Sequence, residues 1–396
     1  MNELVTNVSL HRISVATMTP VIWTAAILLC VTVGFHLAGI ANAMIRCKAR
    51  PRLERPPANA PSISLVRPVC GLDNFAEPTL RSGFELDYPN YELIFCVANA
   101  RDPVVPLVRR LIEAHPHVQA RLLIGDERIS ANPKLNNCFK GWNAATHDWV
   151  VLADSNVLMP ADYLSRLLNS WRDDTGLVCS PPSGTLPQGF WAHVECAFLN
   201  TYEARWQYTA DSMGIGFAQG KTMFWRRAVL EQAGGIRVLG LELAEDAAST
   251  KVVRDAGLRV RLVDAPFAQP LGRRSALEVW RRQARWAQLR RASFPLFYLP
   301  EALGGALPPA VAAATLAAAF DLSWILAVVA VTAFWYGAES KLARAAGWPL
   351  SWAYPLHAIV RDVTLPLLWF SGWFGSDFVW RGNAMSSGTA SESPQV

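Results

Sequence analysis

The 33 residues from 13 to 45 contain no Asp, Glu, Lys or Arg. A helix needs about 20 apolar residues to cross the hydrocarbon core of a bilayer, so this run is long enough to span one. Ala41-Asn42-Ala43 has the form of a signal-peptidase site. The apolar run is longer than a signal-peptide core, however, and Arg12 is the one basic residue ahead of it. A retained anchor is therefore expected. Arg46, Lys48, Arg50, Arg52 and Arg55 follow at once, which places that side of the membrane in the cytoplasm by the positive-inside rule.

Composition agrees with a membrane protein that carries a soluble domain. Hydrophobic residues make up 52% of the 396 and charged residues 17%, against about 25% charged in soluble domains. Sixteen tryptophans suit membrane–water interfaces. Net charge is +5, with the basic residues clustered. The seven cysteines are scattered without a CxxC pair, which favours reduced cytosolic thiols over a disulfide framework. His193-Val194-Glu195 has the HxE form of a zinc deaminase, but no PCxxC follows, so it reads as a helix surface.

Proline-rich residues 51–61 form a linker, and an α/β region follows. Strands are expected at 62–67, 91–97, 120–125 and 148–153, with helices at 104–114 and 134–146 between them. Alternation at this spacing implies a mainly parallel sheet with both faces covered. The first turn, RPVCGLD, lacks GxGxxG, so a dinucleotide fold is not indicated. Further on, 302–320 and 322–338 are uncharged and separated by Asp321, which suggests a hairpin of spans. A third apolar segment, 350–374, holds Arg361-Asp362, Pro355 and Pro366. It is compatible with spanning, re-entering or lying flat, and an interfacial place is expected for its charge pair. A polar tail after Met385 is expected to be disordered.

Three acidic positions stand out. Asp102 follows the strand YELIFCV, Asp154 ends the run DWVVLADSN, and Glu245-Asp246 opens a helix expected over 244–256. Ligands bind outside the carboxyl ends of parallel strands, so Asp102 and Asp154, read as lying on neighbouring strands, should share one crevice. Residues 273–291 carry seven arginines in RRSALEVWRRQARWAQLRR. With Leu277, Trp280, Ala284 and Ala287 on one face and most arginines opposite, the segment reads as an interfacial amphipathic helix. Arg282 and Arg285 turned toward a pyrophosphate is a compatible reading.

Asp102, Asp154, Asp246 and the run Arg282-Gln283-Ala284-Arg285-Trp286 resemble the D, D, D, (Q/R)xxRW signature of processive-type inverting glycosyltransferases of the GT-A fold. FELDYPNYELIFCV, NPKLNN, LEQAGG and AEDAASTKVVRDAG further resemble glycosyltransferase family 21, which holds ceramide glucosyltransferases and bacterial processive diacylglycerol β-glycosyltransferases. The resemblance implies a GT-A-type nucleotide-sugar-binding sheet domain with transmembrane and interfacial helices. Its expected layout is an anchor (1–50), a linker (51–61), a cytoplasmic catalytic domain (62–272), an interfacial helix (273–300), membrane helices (301–377) and a tail (378–396).

By resemblance, Asp246 is the general base. Asp102, Lys134 and Asp154 bind the nucleotide sugar, with Asp154 on Mg²⁺ or Mn²⁺. Glu245, Arg282, Arg285 and Trp286 line the pyrophosphate and acceptor end. Two departures are visible. DSN replaces DxD, so Asp154 is the lone carboxylate, and Glu203-Ala204 stands where ceramide glucosyltransferases carry His-Pro. The expected reaction moves glucose or galactose from UDP-sugar to a two-chain membrane lipid. Diacylglycerol is favoured by the lost His-Pro, and ceramide is the alternative. A polysaccharide synthase and a non-catalytic lipid-binding protein are the remaining readings. The expected place is the inner (cytoplasmic) membrane, with the catalytic domain facing the cytoplasm and no nucleic-acid partner.

Overall fold

The computed structural model describes residues 2–48, 53–374, 377–380 and 383–386, with side chains over 19–48 and 53–374. Arg50, Arg52 and residues 387–396 of the tail lie outside the described residues.

One seven-stranded sheet forms the centre. Its strands are β1 (Ile63–Pro68), β2 (Tyr91–Val97), β3 (Gln119–Ile124), β4 (Trp149–Ala153), β5 (Thr175–Cys179), β7 (Thr222–Arg226) and β8 (Arg259–Leu262). They run in the order β3-β2-β1-β4-β7-β5-β8, and only β7 is antiparallel to its neighbours. Two shorter strands, β6 (Gly184–Gln188) and β9 (Gln269–Arg273), pair beside this sheet.

Side-chain alternation gives each strand two buried faces. In β4, Val150 and Leu152 enter one core while Val151 and Ala153 enter the other. All four are wholly buried, which is why the run is continuously apolar up to Asp154. Burial of each valine and of the leucine contributes about 1.5–3 kcal/mol. Helix Pro133–Ala144 lies close on the sheet at Gly141, where an added Cβ would stand 2.3 Å from Val66 Cγ1.

The expected helices and strands of 62–153 are present to within a residue or two at their ends. Asp102 and Asp154 do not follow neighbouring strands, because β1 lies between β2 and β4. The central strand of such a sheet is often the first in sequence, since consecutive units then wind outward from it to either side.

Among the described residues, Thr19–Cys47 and Trp324–Ala345 are helices long and apolar enough to cross a membrane. Pro295–Leu303 and Leu307–Ala319 make a third candidate if their 44° bend belongs to one broken span. The expected hairpin is therefore altered, since 13 residues of helix rise only about 20 Å and fall short of a bilayer core. Helix Tyr354–Ser371 packs against helix Ala276–Ser293 through Leu365, Leu368 and Val279.

Arg361 and Asp362 face the protein interior. Both are buried, with Arg361 bonded to Asp362 Oδ1 at 2.7 Å and to Glu339 at 3.1 Å. Asp362 Oδ2 accepts the Ala306 N–H at 2.8 Å. A charge pair buried in this way is satisfied by partners on other segments, and pairing of that kind cannot be read from the segment's own hydropathy.

Candidate active site

The chain segment NPKLNN builds the floor of the site. Asn132 caps helix Pro133–Ala144 by accepting the Lys134 N–H at 3.0 Å, and Pro133 suits the first helical position. This fixes Lys134 in the first turn with its ammonium reaching back over the sheet. Lys134 Nζ lies 2.7 Å from Asp154 Oδ1 and 2.6 Å from Glu245 Oε1, and also donates to the Gly220 carbonyl. Asn132 Nδ2 donates to the other oxygen of Glu245 at 2.7 Å. Glu245 thus spends both oxygens on Asn132 and Lys134 while it lines the cleft.

The antiparallel strand β7 adds a residue that sequence reasoning missed. Register pairs Ala153 with Thr222, and the Asp154 N–H donates to the Lys221 carbonyl at 3.0 Å. Lys221 therefore sits opposite Asp154. Its Nζ lies 2.8 Å from Asp154 Oδ2 and 3.3 Å from Asn156 Oδ1. The signal was a glycine-lysine pair opening an apolar run, in QGKTMFW. Gly220 leaves room there, since an added Cβ would stand 2.9 Å from Glu245 Oε1 and 3.2 Å from Lys134 Nζ and would push on the cluster.

The electrostatics follow from this packing. Burial alone would raise the Asp154 carboxyl, but Lys134 and Lys221 hold it far below the usual carboxylate range. Burial opposes the charge on Lys134, yet Asp154 and Glu245 outweigh it and raise that ammonium well above its ordinary value. Lys221 is lowered, because burial and the nearby Arg282 outweigh Asp154.

Asp246 lies one residue further on, at the start of helix Glu245–Asp255. Its oxygens accept the Gly220 N–H at 3.2 Å and the Ala247 N–H at 2.9 Å. Burial, then the adjacent Glu245 charge, pushes its carboxyl up to about 6, against the pull of Lys134. A base with that value is ionised at neutral pH and binds a proton more readily than an ordinary aspartate does.

A divalent cation at Asp154 was implied by resemblance. Mg²⁺ is commonly held by one or two carboxylates together with substrate phosphates. Here the one carboxylate at the end of β4 has an ammonium on each oxygen, and Asn156 faces the same lysine. Among the described residues no three His, Cys, Asp or Glu side chains converge to hold a metal. A divalent cation on Asp154 would face both ammoniums, each opposing it by about 4 kcal/mol per unit charge at ~4 Å in an effective dielectric near 20. The residues present do not fit the ion, and no step below depends on one.

Asp102 accepts the Gly71 N–H at 2.9 Å and the Val104 N–H at 2.9 Å, so its carboxylate joins the loops after β1 and β2. It lines the same cleft as Asp154 and Asp246.

The arginine helix packs part of its expected apolar face, Trp280, Ala284 and Ala287, on protein. Its buried side is Val279, Gln283 and Ala287, while Leu277 is 53% exposed. The helix packs on protein, and its arginines are partly covered. Glu195, read as helix surface, is wholly buried and ion-paired with Arg282 and, at 3.2 Å, with Arg274. A short helix, Phe190–Cys196, turns that carboxylate inward, which an HxE spacing alone does not disclose. Arg290 is bidentate to Glu301 at 2.8 Å. Arg282, Arg285 and Trp286 all line the cleft.

That cleft has a volume of about 1280 Å³. It runs from Asp102 and Asp154 past Asp246 to Phe35 on the N-terminal membrane helix and Trp335 on the helix Trp324–Ala345. Phe217, Phe294 and Phe297 make an aromatic wall, with ring centroids 5.0 and 5.1 Å from Phe217. Glu203 also lines it, its carboxyl pushed up to about 7 by burial despite the neighbouring Arg290.

Similarity to known proteins bears on what this site belongs to. A mannosyltransferase from Pyrobaculum calidifontis, solved with GDP-Man and Mn²⁺, shares the fold with a TM-score of 0.51 at 19% identity, over 87% of this chain and 99% of that one. Ceramide glucosyltransferase 1 of Caenorhabditis elegans is 28% identical over 250 residues, 63% of this chain and 54% of the relative. Ceramide glucosyltransferase 3 of the same organism is 25% identical over 333 residues, 82% and 72% respectively. The chain thus spans about half the length of the first relative. The model for glycosyl transferase family 21 matches residues 31–391. With its mostly parallel GT-A-like sheet, its acidic series and that match over most of its length, the chain belongs to glycosyl transferase family 21.

Proposed function

We propose that the protein transfers a hexose, glucose or galactose, from a UDP-sugar to the hydroxyl of a two-chain membrane lipid of the ceramide class. One observation carries the reading. One cleft is lined by the lysine–carboxylate cluster, by Asp246 and by residues of the membrane helices.

In this reading the nucleotide lies over the strand ends near Asp102. The lipid enters between Phe35, Trp335 and the aromatic wall. Asp246 takes the proton from the acceptor hydroxyl as that oxygen bonds to the anomeric carbon. The bond from the anomeric carbon to the diphosphate oxygen breaks with its electron pair, and UDP leaves. Attack opposite the leaving group inverts the anomeric centre. Lys221, Arg282 and Arg285 stabilise the charge that grows on the diphosphate, where fixed cations in a buried site act strongly. Lys134 and Glu245 hold the cluster in place.

The two ceramide glucosyltransferase relatives favour ceramide. Diacylglycerol is kept as the second reading because Glu203 lines the cleft, and Glu203-Ala204 stands where, by resemblance, ceramide glucosyltransferases carry His-Pro. The cytoplasmic face of an inner membrane is the proposed location, consistent with the basic residues Arg46, Lys48 and Arg55 beyond the first span.

The test is purified protein in lipid nanodiscs holding ceramide, diacylglycerol or neither, given UDP-glucose or UDP-galactose, with mass spectrometry of the extracted lipids. A hexosylceramide is the expected product. Hexosyl diacylglycerol alone would select the second reading, polymer would indicate a polysaccharide synthase, and no UDP release in any disc would leave a lipid-binding protein.

A further inference from the structure

We propose that Lys221 is a built-in counter-cation of the donor site, so that this chain holds a nucleoside diphosphate without a divalent metal ion. The inference rests on the nucleotide-sugar reading above and adds to it which group answers the diphosphate charge.

The geometry separates the two lysines. An ammonium has three N–H donors. Lys134 spends all three, on Asp154, Glu245 and the Gly220 carbonyl. Lys221 spends two, on Asp154 Oδ2 and Asn156 Oδ1. Its third donor remains for a ligand, and its ammonium lines the cleft. Lys134 is thus a fixed strut, and Lys221 the cation free to answer a phosphate oxygen.

The position is also specified from two sides. Antiparallel pairing of β7 with β4 sets the Lys221 backbone against Asp154, and the Asn156 amide oxygen orients the side chain. Asn156 is the third residue of DSN. A second aspartate there would add a carboxylate ligand, while the neutral amide serves a lysine without adding charge. The replaced carboxylate and the lysine opposite it are therefore two parts of one arrangement. Arg282 stands close enough to Lys221 to lower its ammonium, so a diphosphate entering between them relieves a repulsion present in the free site.

The experiment titrates UDP into full-length protein in detergent or nanodiscs by calorimetry, in EDTA and again in Mn²⁺. Wild-type affinity is expected to agree within about threefold between the two conditions. Lys221→Met should weaken UDP binding at least tenfold in EDTA, with most of it regained in Mn²⁺, because the freed Asp154 oxygen then accepts the ion. Lys221→Arg keeps a cation and should remain indifferent to EDTA. Wild-type binding that vanishes in EDTA and returns with Mn²⁺ overturns the inference while leaving the donor reading intact, as does wild-type affinity in Lys221→Met. No UDP binding by wild-type protein in either condition overturns both. The wild-type comparison decides even if a variant fails to fold.

Discussion

The raised carboxyl of Asp246 predicts a pH profile. If this group is the general base, only its ionised form is active. With a value of about 6, about one molecule in eleven is ionised at pH 5 and about ten in eleven at pH 7. The kcat/KM for the UDP-sugar should therefore fall about tenfold between pH 7 and pH 5, with unit slope below the limb. An aspartate near 3.9 would lose less than about a tenth over the same interval. Glu245→Gln removes the adjacent charge that helps raise Asp246 and should move the limb to lower pH. Asp246→Asn should cost about 10²–10⁴ in turnover and abolish the limb.

Unfolding does not explain such a loss at pH 5. A carboxyl raised in the fold binds protons more readily there than in the unfolded chain, so between about 4 and 6 Asp246 alone makes the fold more stable as pH falls. Asp154 acts in the opposite sense, its depressed carboxyl losing stability only as pH drops below the ordinary carboxylate range. Fluorescence of the buried Trp142 and Trp225 should therefore be unchanged at pH 5 while activity drops. A wild-type limb near pH 4, or a limb near 6 that persists in Asp246→Asn, would refute the assignment.

Arg282→Lys and Arg285→Lys should each cut turnover at least about tenfold with vesicle flotation unchanged, because an ammonium lacks the planar fork; equal membrane loss would make the helix an anchor only. Arg290→Lys should also lose activity, since its bidentate bond to Glu301 closes one wall of the cleft, and wild-type turnover would count against that role. Gly220→Ala should introduce roughly 1–3 kcal/mol of overpacking at Lys134 and Glu245, read as weaker UDP binding by calorimetry. Arg361→Met should lower stability by about 3–5 kcal/mol by leaving Asp362 and Glu339 buried without their cation, and an unchanged melting temperature would contradict that.

The parts of this molecule that the sequence announces are those set by local periodicity. The strand at 91–97 and the helix at 104–114 match their expected bounds, because a continuous apolar run and a clean amphipathic stripe each have one packing solution. Asp246 at a helix start was legible in the same way. Pairings between distant segments were not. Lys221 acquires its place from the antiparallel insertion of β7 between β4 and β5, and nothing in QGKT states which strand will lie beside it. Glu195 looks like an ordinary helical glutamate until Arg274 and Arg282, about 80 residues away in sequence, fold over it. The arginine helix was legible in part, since Ala287 of the expected apolar face is buried and Trp280 and Ala284 pack beside Val279, while Leu277 stays exposed and Gln283 joins the buried side.

The packing between sheet and membrane helices reaches further than stability. Ile40, Ala43 and Cys47 of the first span and Leu342 and Ala343 of the helix Trp324–Ala345 lie in the same core as Val66, Val150 and Leu152 of the sheet. Arg46, at the end of the first span, is tied to Asp211 at 2.8 Å. The catalytic half is therefore no tethered globule free to dip and rise. It is welded to the two helices that are long and apolar enough to span a membrane, so the distance of Asp246 from those helices is a constant of the fold. On the proposed reading of a lipid acceptor, that substrate would have to bring its hydroxyl to this fixed level, so the length of its acyl chains and the thickness of the leaflet would become part of what is selected.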